Sequence, residues 1–117
     1  MGLDIMALRV KKEDIINDTN ISEKKKYFYS HGEHNIYDWR GFHELNHWMK
    51  RLHYEKGGKG EIFEGDYYER YLVRITEKDL DVLDKDKDID DPRYDIFIEI
   101  ARKVLQENDA VYYHCCE

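Results

Sequence analysis

A disulfide framework is the first thing this sequence excludes. It has two cysteines, Cys115 and Cys116, and they are neighbours. Adjacent cysteines close only a strained ring, so they do not bridge each other. The scarcity fits a reducing compartment. Two thiolates alone do not complete a zinc site, so both cysteines read as small residues of a final strand. Long apolar runs are also missing: no segment approaches the length that spans a bilayer, and no membrane association is expected. The start, Met1-Gly2-Leu3-Asp4-Ile5-Met6, has no basic stretch leading into an apolar core, so it is not read as a secretory signal. Met6 stands where a myristoylation pattern beginning at Gly2 requires Ser or Thr. Cationic excess is absent too. A net charge of −7 argues against direct nucleic-acid binding by phosphate neutralisation, and Lys24-Lys25-Lys26 reads as a solvated loop.

What remains is a chain of 117 residues, 41% hydrophobic and 38% charged, which suits one domain (1–117) with one core and a heavily charged surface. Leu3 to Val10 reads as a buried first strand, and 11–26 as a loop with room for one helical turn. Tyr27-Phe28-Tyr29 has the aromatic content of a short strand. Asp38 is a suitable N-cap for a helix from Trp39 to Tyr54. Lys56-Gly57-Gly58-Lys59-Gly60 ends that helix in a loop, and lacks the G-x-x-x-x-G-K-[ST] pattern that cradles phosphates. Tyr67 to Ile75 alternates as a strand. Thr76 and Asp79 form a capping-box pattern opening a helix through Leu83. The acidic stretch 84–91 resembles a calcium loop, but Ile89 occupies the position that needs Gly, and Asp95 replaces the bidentate Glu; a solvated loop is expected. Asp91-Pro92 starts a helix through Glu107, and Val111 to Cys115 reads as the last strand. The expected fold is α+β: an antiparallel or mixed sheet of about four strands, with about three helices packed on one face.

The helix after Asp38 carries the most chemistry. At about 100° per residue, Trp39, Phe42, Leu45, Trp48, Met49 and Leu52 share one half of the wheel, while Arg40, Glu44, His47 and Arg51 share the other. Asn46 and His53 fall within the apolar arc. They are read as a hydrogen-bonded core amide and imidazole, or else as part of a ligand site. His43-Glu44-Leu45-Asn46-His47 matches H-E-x-x-H, in which two histidines one turn apart grip zinc and the glutamate serves as general base. A third ligand would come from His31, His34, Asp66 or Glu69. Against zinc, the two histidines sit at the edge of and outside the apolar arc. A chain with six histidines also allows the match by chance.

Met1-Gly2-Leu3-Asp4, the spacing of Trp39-Arg40 with Leu45 and Trp48, the Tyr67-Tyr68 pair, the acidic helix from Thr76 and the terminal Val111-Tyr112-Tyr113 occur here in one order. That order resembles small phage and prophage proteins of unknown function, which begin Met-Gly-Leu-Asp and carry a W-R-x-x-x-x-[IL]-x-x-W helix. In those proteins a histidine commonly stands at the position of Asn46 and H-E-x-x-H is absent. The resemblance transfers no catalytic residue. It implies a phage-type accessory protein working in the host cytosol by binding a host protein, as an anti-defence or anti-CRISPR-like inhibitor does. An acidic surface would suit a basic, nucleic-acid-binding partner. The candidate binding patch is Tyr67, Tyr68 and Tyr71 with Glu64 and Asp66, in a chain with ten tyrosines. The alternatives are a zinc hydrolase using His43 and His47, and a small-ligand or nucleotide sponge with Arg40, Asn46 and His53 around a pocket. No cofactor is expected except zinc in the first alternative.

Overall fold

The computed structural model describes residues 4–21, 35–40, 42–59, 61–62 and 69–116. Its elements are β1 (Asp4–Val10), β2 (Ile15–Asn17), β3 (Asn20–Ile21), β4 (Asn35–Arg40), α1 (His43–Glu55), β5 (Glu61–Ile62), β6 (Glu69–Ile75), α2 (Glu77–Asp86), α3 (Pro92–Gln106) and β7 (Ala110–Cys116). A 3-10 turn, Lys12–Asp14, follows β1. Five strands form one sheet in the order β4-β1-β7-β6-β5, antiparallel at every pairing, and β2 and β3 form a separate ribbon. The expected α+β architecture is present. The expected strand Tyr27–Tyr29 lies outside the described residues.

The registers Ile5–Cys115–Tyr71 and Ala7–Tyr113–Val73 set the two faces of the sheet. Ile5, Ala7, Val111, Tyr113, Tyr71, Val73 and Ile75 face the three helices. Phe42, Leu45 and Met49 of the α1 region, Leu80 and Leu83 of α2, and Phe97, Ala101 and Val104 of α3 complete this core. Leu8, Val10, Ala110 and Tyr112 face the opposite way, packing against Ile21 and half-buried Ile15 of the ribbon. Central β7 is therefore buried on both faces. That is why Val111-Tyr112-Tyr113 reads as a continuous apolar run, whereas β6 alternates between buried Tyr71, Val73, Ile75 and half-buried Leu72, Arg74.

The helix ends follow local chemistry. Asp79 N–H donates to the Thr76 hydroxyl, and the Asp79 carboxylate accepts from Thr76 N–H at 2.9 Å, which makes the capping box of α2. Asp91 accepts from Arg93 N–H, with Pro92 at the first helical position of α3. Gly57, at φ 94°, ends α1, with Gly57 N–H donating to Tyr54 O and Gly58 N–H to His53 O. Asn108, at φ 67°, plays the same part after α3.

Three expectations need correction. Trp39 and Arg40 do not belong to the central helix. They end β4, where Trp39 pairs with Ile5, Arg40 with Asp4 and Asp38 with Met6. The aromatic and β-branched content of Ile36-Tyr37-Asp38-Trp39 satisfies a strand once a partner strand is beside it, and α1 starts only at His43. The helix opened by Thr76 runs on to Asp86, into the stretch read as an acidic loop. The segment 11–26 holds two short strands, β2 and β3, in addition to its helical turn.

Candidate functional site

Among the described residues β6 pairs on its outer side only with the short β5, and an edge left open exposes backbone groups. The fold covers this one with side chains and a turn. His53 Nδ1 lies 2.8 Å from Leu72 O. Arg74 N–H donates to Asp18 O in the β2–β3 turn at 2.7 Å. Lys56 Nζ donates to Arg74 O at 2.7 Å and also to the Asp79 carboxylate. Lys56 thereby joins the end of α1, the end of β6 and the cap of α2 through a pair whose side chains are only 15% and 14% exposed.

These contacts decide the fate of the two polar residues on the apolar stripe of α1. Asn46 is buried and its Oδ1 accepts from the Tyr113 hydroxyl at 2.7 Å. His53 is buried between Leu72 O and the rings of Tyr71 and Tyr54, whose centroids lie 5.3 and 5.4 Å away. Both hold helix and sheet together. Arg40, grouped with them as a ligand set, lies on β4 at the opposite edge of the sheet from β5. The two clefts described below are lined by none of the three.

Tyr71 needs a further correction. It is fully buried, with the Lys50 ammonium 4.9 Å from its ring centroid, and so is no surface anchor. Its register with Ile5 places it on the helix-covered face of the sheet, whatever its neighbours in sequence suggest. Tyr67, Tyr68, Glu64 and Asp66 lie outside the described residues. His43, Glu44 and His47 are on the exposed side of α1. Among the described residues no group of three His, Cys, Asp or Glu side chains is placed to hold a metal ion. His31, His34 and Asp66 are outside the described residues, and Glu69 opens β6.

The solvent side of the helical layer has concave relief. A cleft of about 460 Å³ between α1 and the α2–α3 pair is lined by Glu44, His47, Trp48, Arg51, Asp86 and Tyr94, with Leu83 below. A smaller one of about 190 Å³ adds Leu52, Glu55, Asp79 and Val82 to Trp48, Arg51 and Asp86. The Trp48 indole N–H donates to Asp86 Oδ2 at 3.1 Å, fixing the ring against α2. Tyr94 closes one end, edge-on to Phe42 at 4.9 Å, and the Arg93 guanidinium lies over the Phe42 ring, 4.0 Å from its centroid. Burial, and after it the charge of Glu44, pushes the Tyr94 phenol above its ordinary pKa.

The α2–α3 hairpin beside these clefts is acidic. Residues 79–91 carry seven aspartates against two lysines. Lys87 bridges Asp84 and Asp95, and its hydrogen bond holds the Asp84 carboxyl below the usual carboxylate range. Arg102 of α3 bridges Glu77 and Asp81 of α2 at 2.9 Å each. Ile89, at the turn, is 83% exposed between Asp88 and Asp90. Sequence reasoning passed over Ile89 as a fault in a calcium loop. Its signal was an aliphatic residue inside an otherwise charged run. Trp48 was placed in the core stripe, and its half-exposed position beside a second helix depends on packing between elements.

Among the described residues no helix is long and apolar enough to cross a membrane. Compared with protein-family models, with curated proteins and with solved structures, the chain matches none.

Proposed function

We propose that this chain is a non-enzymatic binding protein whose acidic α2–α3 hairpin engages a protein partner with a basic surface. The observation that carries the reading is Ile89: a large aliphatic side chain, 83% exposed, at the tip of a seven-aspartate segment. In this reading the partner would bury the aliphatic side chain while the carboxylates around it form an electrostatic rim. The surrounding carboxylates would speed encounter with a cationic surface and disfavour nucleic acid itself. The resemblance to phage accessory proteins extends the proposal. The partner would be a host protein in the cytosol, of the kind that holds nucleic acid in a basic groove, and the activity an anti-defence inhibition. Two of the polar residues that a sponge would use are engaged elsewhere in this fold, since Asn46 accepts from Tyr113 and His53 lies against Leu72 O.

The test is capture of a partner from host lysate by the intact chain, with Ile89→Asp alongside. A stoichiometric partner retained by the wild type, released at high salt and lost with Ile89→Asp is the expected result. Recovery of no stoichiometric partner, or of one indifferent to both salt and Ile89→Asp, would refute the proposal.

A further inference from the structure

The two clefts between α1 and α2 share Trp48, Arg51 and Asp86, so they meet at the indole. Their floor is apolar: half-buried Trp48 and Leu52, buried Leu83, and Val82, 44% exposed. Their rim is charged and unequal. Asp79 is engaged by Lys56, which leaves, among the lining residues, the carboxylates Glu44, Glu55 and Asp86 beside the single guanidinium of Arg51. Asp86 gives Oδ2 to the Trp48 N–H.

We infer that these clefts form one groove, and that it takes a peptide segment of the partner in which lysine or arginine alternates with aliphatic residues. This rests on the binding reading above and names the segment that this face would receive. The inference follows from complementarity. Aliphatic side chains and the methylene stems of Lys and Arg cover the Trp48–Leu52–Val82 floor. Their charged heads reach Glu44, Glu55 and Asp86, and a guanidinium or ammonium near the indole gains a cation–π contact. An acidic segment meets three carboxylates and is repelled. The groove adjoins the acidic hairpin through Asp86, the last residue of α2, so one basic partner surface can span both.

The experiment is calorimetric titration of the intact chain with a twelve-residue peptide of alternating Arg and Leu, with a matched Glu–Leu peptide as comparison. Saturable binding of the Arg–Leu peptide is expected, with no binding of the Glu–Leu peptide. Arg51→Glu, at an exposed position, should tighten it about 5-fold and Glu44→Lys should weaken it about 10-fold, the usual scale for adding or reversing one charge at a rim. Ile16→Thr, at an exposed position on the β2–β3 ribbon, should leave peptide affinity within about 2-fold, because it lies outside both groove and hairpin. Weaker binding on Arg51→Glu, or equal binding of the two peptides, would overturn the assignment of charge. Indifference to Glu44→Lys would overturn the groove. If a lysate partner is captured as well by Glu44→Lys as by wild type but is lost with Ile89→Asp, the groove fails while the binding reading stands.

Discussion

Gly58→Ala should be among the most damaging single-methyl additions to this protein. A Cβ built at Gly58 lies 2.2 Å from His53 Nε2, 2.4 Å from Cε1 and 2.5 Å from Cδ2, distances no carbon sustains. Neither partner can give way cheaply. Gly58 is held by its N–H bond to His53 O at 2.9 Å. The His53 ring is 3% exposed, bonded to Leu72 O and boxed by Tyr54 and Tyr71. Displacing the ring frees the Leu72 carbonyl on the outer side of β6, at about 1–3 kcal/mol. Lost packing against the two tyrosines adds about 1–2 kcal/mol. Replacing glycine narrows the unfolded ensemble and returns about 0.4–1 kcal/mol. The net loss is about 2–3 kcal/mol, or a fall of about 8–12 °C in Tm for a chain of this size. The cause is tested by a cycle with His53→Ala, read by urea denaturation. His53→Ala alone loses the same bond and leaves a void, again about 2–3 kcal/mol. Once the ring is gone the added methyl meets open space, so the double variant should be no less stable than His53→Ala. That is a coupling of about 2 kcal/mol. Additive losses, or a Gly58→Ala protein melting within about 2 °C of wild type, would refute the reasoning.

Other outcomes follow from the same contacts. The Tyr112 phenol, buried and donating to Asn17 O at 2.7 Å, is pushed up to about 12 by desolvation. An unfolded tyrosine loses its proton near pH ~10, so this contribution to stability is intact below pH ~10 and is lost as pH rises toward 12, at about 1.4 kcal/mol per pH unit. Urea midpoints at pH 9 and 11 should show a smaller alkaline decline in Tyr112→Phe than in wild type, and equal declines would count against the assignment. Asp79→Ala removes the capping box of α2 and leaves the half-buried Lys56 ammonium with Arg74 O alone, which should cost about 2–4 kcal/mol by thermal melt. Adding Lys56→Met should recover part of that loss, and a worse double variant would speak against an uncompensated charge as its cause. Asn108→Gly should raise stability by about 0.5–1 kcal/mol because Asn108 sits at φ 67°, and a drop in Tm would show that its side chain matters more than its backbone.

The division between sequence and tertiary structure runs along interaction range. The capping box of Thr76 and Asp79, the start at Asp91-Pro92, the glycine stop after α1 and the alternation of β6 are short-range patterns, and each was legible because its partners lie within a few residues. The position of Asn46 and His53 within the apolar stripe of α1 was legible too, since 3.6-residue periodicity puts them there. Which groups receive them was not: Tyr113 and Leu72 reach α1 only through the β7–β6 pairing. Strand β4 escaped notice because Trp39 has the spacing of a helix face, and only pairing with β1, more than twenty-five residues earlier, makes it a strand. Tyr71 looked like part of an exposed patch until its register set it under α1. The groove at Trp48 needs two helices joined through β6, so residues 44–55 and 79–86 acquire a common surface only when the core beneath them has formed. Local periodicity determines where each element turns its apolar side. Packing between distant elements decides which half-exposed residues become neighbours.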